Sequence, residues 1–252
     1  MSERPLFSVI VTDYEPSINR NDFRRKMACL ASQTCKDFEV LVYHDGPKPT
    51  PYADEIVGLP IHCDTKFITT EVRANDWGHS NRDRGIREAK GTWIIHTNAD
   101  NVFFPQLIER LKEKIETPYF TMRENTRFRG RRVRSILKRF DRFFGTTHSR
   151  RTFEPFSEKE ILIFGILMRG LVATANGYQR FPEMAHDNAL IFGGIPVKFG
   201  QIDAMQFVMR KDLWLEVGGW YDRREESDGY MFEKLAKRFV VTAVPEILGE
   251  HW

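Results

Sequence analysis

The chain has 252 residues, 41% of them hydrophobic and 29% charged, enough for one large domain with a substantial core and unlike a disordered or fibrous composition. The formal charge, 38 − 35 = +3, is too small to indicate a nucleic-acid protein by itself. Three cysteines at irregular spacing (Cys29, Cys35, Cys63) make neither a disulfide framework nor a tetrahedral metal set, and suit a reducing cytosol.

The first apolar run, Leu6 to Val11, is short for a secretory signal and is broken by Ser8. No stretch approaches the ~18 apolar residues of a membrane span. The expected setting is cytoplasmic. The charge is uneven: Arg127 to Arg151 carries ten Lys/Arg and one acid, Asp141, leaving 28 bases and 34 acids elsewhere. The sequence therefore reads as a mildly acidic body with one strongly basic insert.

In chain order, Leu6–Thr12 is a β-branched run expected to form a buried strand. Asn21-Asp22 begins a helix to Ala31. Phe38–Tyr43 is a second strand, stopped by Asp45-Gly46-Pro47. Lys66–Thr70 is a third strand, and Ser80 or Asn81 opens a helix ending near Lys90-Gly91. A strand over Thr92–Thr97, a helix over Phe104–Glu116 with Pro105 in its first turn, and a short strand over Tyr119–Met122 follow. Strands are expected at Gln206–Arg210 and Phe239–Val244, helices at Lys211–Val217 and Asp228–Arg238, with 125–200 irregular. Phe164–Ala173 reads as a buried segment interrupted by Arg169, and His186-Asp187 as a loop. This alternation predicts an α/β fold, a mostly parallel sheet flanked by helices, with ligands beyond the carboxyl ends of the strands.

Three clusters fall at those ends: Thr12-Asp13-Tyr14, His44-Asp45-Gly46 and Asn98-Ala99-Asp100-Asn101. Asp45 can accept a hydrogen bond from a base or ribose, Tyr14 can stack on a planar ring, and Asp100 can hold a hard divalent cation shared with phosphates. Turns favour the same residue types, so one such cluster alone carries little weight; three in succession carry more.

Phe7-Ser8-Val9-Ile10-Val11-Thr12-Asp13-Tyr14 resembles the opening strand of family 2 glycosyltransferases. Leu30-Ala31-Ser32-Gln33-Thr34, Asp37 to Val42 and Asp45-Gly46 are similar to that family's second block. Gly85-Ile86, Ala89-Lys90-Gly91 and Trp93-Ile94 match its third, and Asn98-Ala99-Asp100 falls on its Asp-x-Asp metal motif. The resemblance runs in register over about residues 6–123 and more loosely over 204–251.

It implies a GT-A fold, a Rossmann-like mixed sheet, and an inverting enzyme taking a sugar from a nucleotide-sugar donor, UDP most often, with Mn²⁺ or Mg²⁺. Thr12, Tyr14 and Asp45 match positions that hold base and ribose, and Arg82 a donor-site arginine. Asp100 matches the metal carboxylate. Asn98 stands where an Asp is usual, keeping a carbonyl oxygen but losing a charge. Gly218-Gly219-Trp220-Tyr221-Asp222 resembles the family's Gly-Gly-Phe-Asp-Glu segment, and Asp228 takes the place of the general base, with Glu226 as runner-up and a helix N-cap as the bland reading. Asp203 and Trp220 are candidates for contact with acceptor or sugar. His251 matches a late metal-ligating histidine, which suits Mn²⁺ better than Mg²⁺.

One domain is expected over 1–252: a nucleotide-sugar half (1–123), the basic insert with an irregular acceptor side (124–200), and an acceptor and base half (201–252). The chain ends just past His251, as a minimal domain or a fragment would. Val133, Ile136, Leu137, Phe140, Phe143 and Phe144 recur at helical spacing among arginines, a basic amphipathic helix. It would rest on an anionic membrane presenting a lipid-linked acceptor, cover the cleft, or pack on the core; nucleic acid is not expected, for want of a recognition motif. The processive synthases' Gln-x-x-Arg-Trp motif and membrane helices are absent, so transfer of one sugar to a surface-glycan or lipid-linked acceptor is expected. The alternatives are a catalytically weak sugar-nucleotide-binding domain and a nucleotidyltransferase. The latter wants a glycine-rich basic loop after the first strand, where this chain has Asp13-Tyr14-Glu15-Pro16.

Overall fold

The computed structural model describes residues 4–14, 20–117, 120–124, 151–155, 159–174 and 177–252. The helix expected over 133–144 lies outside them. The chain divides into two compact units, Met1–Lys114 with Lys159–Trp252, and Ile115–Glu158.

The elements run β1 (Phe7–Asp13), α1 (Arg20–Ala31), β2 (Phe38–His44), α2 (Tyr52–Glu55), β3 (Thr65–Thr69), α3 (His79–Glu88), β4 (Trp93–Asn98), β5 (Val102–Phe103) and α4 (Leu107–Glu116). Then come β6 (Phe120–Glu124), β7 (Arg151–Pro155), β8 (Ile161–Arg169), β9 (Leu171–Thr174), β10 (Gly177–Arg180), β11 (Ala189–Phe192), β12 (Phe207–Arg210), α5 (Lys211–Glu216), α6 (Ser227–Arg238) and β13 (Val241–His251). In the second unit β6 pairs antiparallel with β7.

The main sheet has the order β3-β2-β1-β4-β12-β8-β13-β5, with β11 on β8. Its first four strands are parallel. Every residue of β1 and β2 is buried, which is why both read as continuous apolar runs without alternation. β12 enters antiparallel to both β4 and β8, so the sheet is mixed, as the resemblance implied.

The largest departure from expectation is β8, a central strand inside a stretch where sequence periodicity gave no assignment. Its residues, Ile-Leu-Ile-Phe-Gly-Ile-Leu-Met-Arg, form a buried run too short and too uniformly apolar to distinguish strand from helix. β13 runs further than Val244, through Pro245 and Gly249, with register shifts on either side of Ile247 that absorb the proline's missing donor. His251 is therefore the last residue of a strand rather than a residue beyond it.

Several motif residues turn out to build the scaffold. The Ser8 hydroxyl donates to Glu39 Oε1 at 2.6 Å and accepts from the Gly91 amide at 2.8 Å, joining β1, β2 and the turn before β4. A Cβ at Gly91 would lie 2.5 Å from the Phe7 carbonyl carbon, so only glycine fits. Gln33 donates to the carbonyls of Cys29 and Phe104 and accepts from the Ile108 amide at the start of α4. Beneath the carboxyl ends of the strands, Phe207 stacks on Phe232 at 4.2 Å and Trp214 on Trp220 at 5.7 Å.

Candidate functional site

Two adjoining cavities open beyond the carboxyl ends of β1, β2 and β4. The first, about 190 Å³, is lined by Tyr14, Asp45, Arg73, Asn75, Trp77 and Gly78. Asp45 does not wait there with a free carboxylate. Its two oxygens accept from the Ala74 and Asn75 amides at 2.8 and 3.1 Å, and Arg73 stands 3.8 Å away. Arg73 also lies over the Tyr14 ring, 5.1 Å from its centroid. This pocket is thus organised by a strand-end acid that holds a loop in place.

The second cavity, about 170 Å³, is lined by Trp77, Arg82, Thr97, Asn98, Asp203, Glu225, Asp228 and His251, among others. Arg82 is its buried cation. One guanidinium nitrogen donates to Asn98 Oδ1 at 2.6 Å and another to the Trp77 carbonyl at 2.6 Å. Burial lowers the Arg82 pKa, and Asp228 and Asp203 are the strongest of the carboxylates opposing that. Thr12 donates to the same Asn98 oxygen at 2.8 Å. The amide oxygen at 98 is therefore committed to Thr12 and Arg82, and a carboxylate there would form an ion pair with Arg82.

Asp228 occupies the second position of α6, one residue past Ser227; the N-cap residue is Glu226, which makes no side-chain cap. Burial, reinforced by Asp203, pushes the Asp228 carboxyl above the usual range, while the Gly229 amide and Arg82 pull the other way. Glu226 is exposed, whereas Glu225 joins the lining. Asp203 caps the short 3₁₀ turn Ala204–Gln206 through the Met205 amide and pairs with His251 Nδ1 at 2.8 Å. Burial opposes charge on both, but each offsets it for the other: Asp203 sits below its ordinary pKa and His251 above. The His251 Nε2 lies 3.3 Å from an Arg180 guanidinium nitrogen.

Asp100 is pushed up by burial, against the pull of His251 and Lys26, and its Oδ1 is buried with no hydrogen-bond partner among the described residues. A divalent cation with a phosphate partner takes carboxylate oxygen and, for softer ions, imidazole. Asp100 and His251 fit that donor set, with Asp203 behind His251 as the orienting carboxylate. Among the described residues no group of three or more His, Cys, Asp or Glu could hold a metal by itself. The remaining ligands would have to come from a bound diphosphate or from water.

Trp220 corrects the sequence reading. It was a candidate for contact with acceptor or sugar, but it is fully buried, stacked between Trp214 and His79 with Arg82 5.1 Å over its ring. It is the floor beneath Arg82. His79 and His96 adjoin it; burial, aided by Arg82, lowers His79 to about 4 and holds His96 well below its ordinary value, so both are neutral near pH 7.

Residues that sequence reasoning passed over complete the site. Lys26 of α1 is fully buried, donates to Thr97 Oγ1 at 2.7 Å and lies 4.2 Å from the Phe103 ring centroid. Burial lowers its pKa to about 8. A lysine that follows two arginines in an amphipathic helix gives no signal of this from sequence. Arg73 and Trp77 come from a loop whose only sequence mark was its polar composition.

The nine-stranded mixed sheet, with its ligand-sized cavities at the parallel strand ends, is the GT-A glycosyltransferase fold. Residues 8–180 match the model of glycosyl transferase family 2, and the chain belongs to that family. Two curated relatives are uncharacterised glycosyltransferases. That of Haemophilus influenzae is 28% identical over 112 residues, 44% of this chain and 35% of its own length; that of Methanocaldococcus jannaschii is 26% identical over 109 residues, 43% and 36%. Those matches thus span about a third of each relative. Among solved structures, TarS residues 1–349 of S. aureus align over 97% of this chain and 59% of theirs, with a TM-score of 0.54 and 12% identity. The mannosyltransferase PcManGT of Pyrobaculum calidifontis, in complex with GDP-Man and Mn²⁺, aligns over 99% and 57%, with a TM-score of 0.51 and 12% identity. At such identities the likeness concerns the fold.

Proposed function

We propose that this chain is a metal-dependent, inverting glycosyltransferase that moves one sugar from a nucleotide-sugar to a glycan or lipid-linked acceptor. The observation that carries the reading is the single cavity joining Arg82, Asp203, Asp228 and His251, next to a pocket of nucleoside size. In this reading Tyr14 and Asp45 with its loop receive the nucleoside, UDP being the favoured nucleotide. TarS has been solved with UDP and UDP-GlcNAc, and PcManGT with GDP-Man.

Asp100 and His251 would hold the cation, Mn²⁺ ahead of Mg²⁺ because of the imidazole. The bound ion would supply Lewis-acid stabilisation of the charge on the departing diphosphate. Arg82 adds a fixed positive charge that stays oriented by Asn98 and Trp77. Asp228 takes the proton from the acceptor hydroxyl as its oxygen bonds to the anomeric carbon. The bond to the diphosphate breaks and its electron pair leaves with the nucleotide. A carboxyl pushed upward by burial accepts that proton more readily than an ordinary one. Asp203 holds His251 and contacts sugar or acceptor from the cavity wall. Among the described residues no helix is long and apolar enough to cross a membrane; a lipid-linked acceptor would be met at the surface, with 133–144 as the contact.

The test is nucleotide binding and donor turnover across UDP-, GDP- and dTDP-sugars with Mn²⁺, Mg²⁺ or EDTA, for wild type and Asp100→Ala. Metal-dependent turnover of one donor, lost in the variant, with an inverted anomeric centre in the product, is expected. Retention of configuration sinks the inverting step. Failure to bind any donor favours a catalytically silent domain.

A further inference from the structure

The loop between β3 and α3 carries backbone conformations that its sequence does not favour. Asn75, Trp77 and Gly78 have φ of 53°, 59° and 79°, so three of four consecutive residues are left-handed. Glycine suits that conformation and asparagine tolerates it; for a tryptophan it is a strained outlier. Strain of this kind persists only where the surroundings over-determine it. Here they do. Asp45 accepts from the amides of Ala74 and Asn75. Arg82 donates to the Trp77 carbonyl, and Asp76 accepts from the Ser80 amide at 2.8 Å and from Arg223 at 3.3 Å.

The clamps fix the backbone on both sides of Trp77 yet leave the residue 56% exposed. A bulky ring that gains little from burial while its backbone stays strained is a poor contribution to stability. The same residue lines both cavities. A nucleotide-sugar is a ligand in two parts, a nucleoside and a glycosyl diphosphate, and the two cavities divide in that way on the reading above. Trp77 stands where the parts join.

We infer that Trp77 is a donor-contacting, specificity-determining residue: its indole packs on the nucleotide-sugar where ribose meets diphosphate. The inference rests on the proposed donor site. His79, two residues on, bonds through Nε2 to the Arg224 carbonyl at 2.9 Å and lies 3.2 Å from Ser227 Oγ, just before Asp228. Donor contact at Trp77 thus falls two residues before the histidine that braces the start of the proposed general-base helix.

The experiment titrates wild type, Trp77→Gly and Trp77→Phe with UDP, GDP and dTDP in the presence of Mn²⁺, by calorimetry and tryptophan fluorescence, alongside their unfolding midpoints. Trp93, Trp214 and Trp220 are buried and Trp252 is half-buried beside His251, so the exposed Trp77 should carry the larger part of the response to a bound nucleotide. For the nucleotide that wild type binds, Trp77→Gly is expected to bind about tenfold more weakly, Trp77→Phe to recover most of the loss, and the fluorescence response to shrink in both to the part that Trp252 supplies. Because glycine relieves the backbone, the Trp77→Gly midpoint should equal or exceed that of wild type. Unchanged nucleotide affinity in Trp77→Gly overturns the inference, as does a lowered midpoint, which would mark a structural role. Wild type binding none of the three nucleotides defeats the donor-site reading itself, and this inference with it.

Discussion

Asp45 of the outer pocket and Asp228 of the inner cavity are held in opposite ways, while Asp203 of the inner cavity, paired with His251, resembles Asp45. In the outer pocket Asp45 is saturated by backbone amides and positions a loop. In the inner cavity Asp228 is raised by burial; so is Asp100, just past the end of β4, one of whose oxygens has no hydrogen-bond partner among the described residues. The first arrangement is finished before a ligand arrives, as recognition requires; the second leaves charge uncompensated, as chemistry and cation binding require. The lesson is that equivalent-looking acids at successive strand ends are told apart by what already occupies their lone pairs.

The sharpest way to break the contrast is Asp228→Asn. Turnover should fall about 10²–10⁴-fold with nucleotide affinity retained, measured by steady-state kinetics beside calorimetry. An equal loss of binding would make Asp228 part of the donor pocket instead. Next comes the floor beneath the inner cavity: Trp220→Ala should cost about 3–5 kcal/mol by denaturant unfolding, a core penalty that an acceptor-contacting surface residue would not show.

Lys26 tests the inner cavity from below. Its pKa falls from 10.5 to about 8 on folding, so between those values the unfolded chain binds more protons and stability rises with pH. Below pH 8 the cost of the buried charge is present in full, roughly 3 kcal/mol. Lys26→Met should therefore raise stability near pH 7, and its advantage should shrink as pH climbs towards 10.5. An advantage independent of pH would mean that packing, not charge, is the cause. The smallest effect is expected in the outer pocket. Asp45→Ala should lower stability by about 1 kcal/mol through two unsatisfied amides and weaken nucleotide binding by loosening the loop.

The same contrast explains what could be read from the sequence. The parallel half was legible because β1, β2 and β4 are short apolar runs ending in polar clusters, and because the segments that resemble the family contain Ser8, Gln33, Glu39 and Gly91, which the structure shows to be scaffold residues. Asp100, Asp203, Asp228 and His251 were named individually; the pairing of Asp203 with His251 was not, since 48 residues separate them and only the return of β13 brings them together. Trp220 was misjudged because a glycine-glycine-aromatic motif says nothing about whether its ring faces solvent or core. Lys26 and Trp77 carried no pattern: one owes its importance to burial, the other to a backbone angle.

The make-up of the outer pocket has a consequence for how this chain could change its diet. Four of its six lining residues, Arg73, Asn75, Trp77 and Gly78, lie within one stretch of six, anchored at one end by Asp45 and at the other by Arg82. For a nucleotide seated there, most of what distinguishes one base from another would be written in a segment that can be exchanged whole while its anchors stay. Divergence in donor choice, natural or engineered, would then proceed by loop replacement, with Asp203, Asp228 and His251 of the inner cavity left in place.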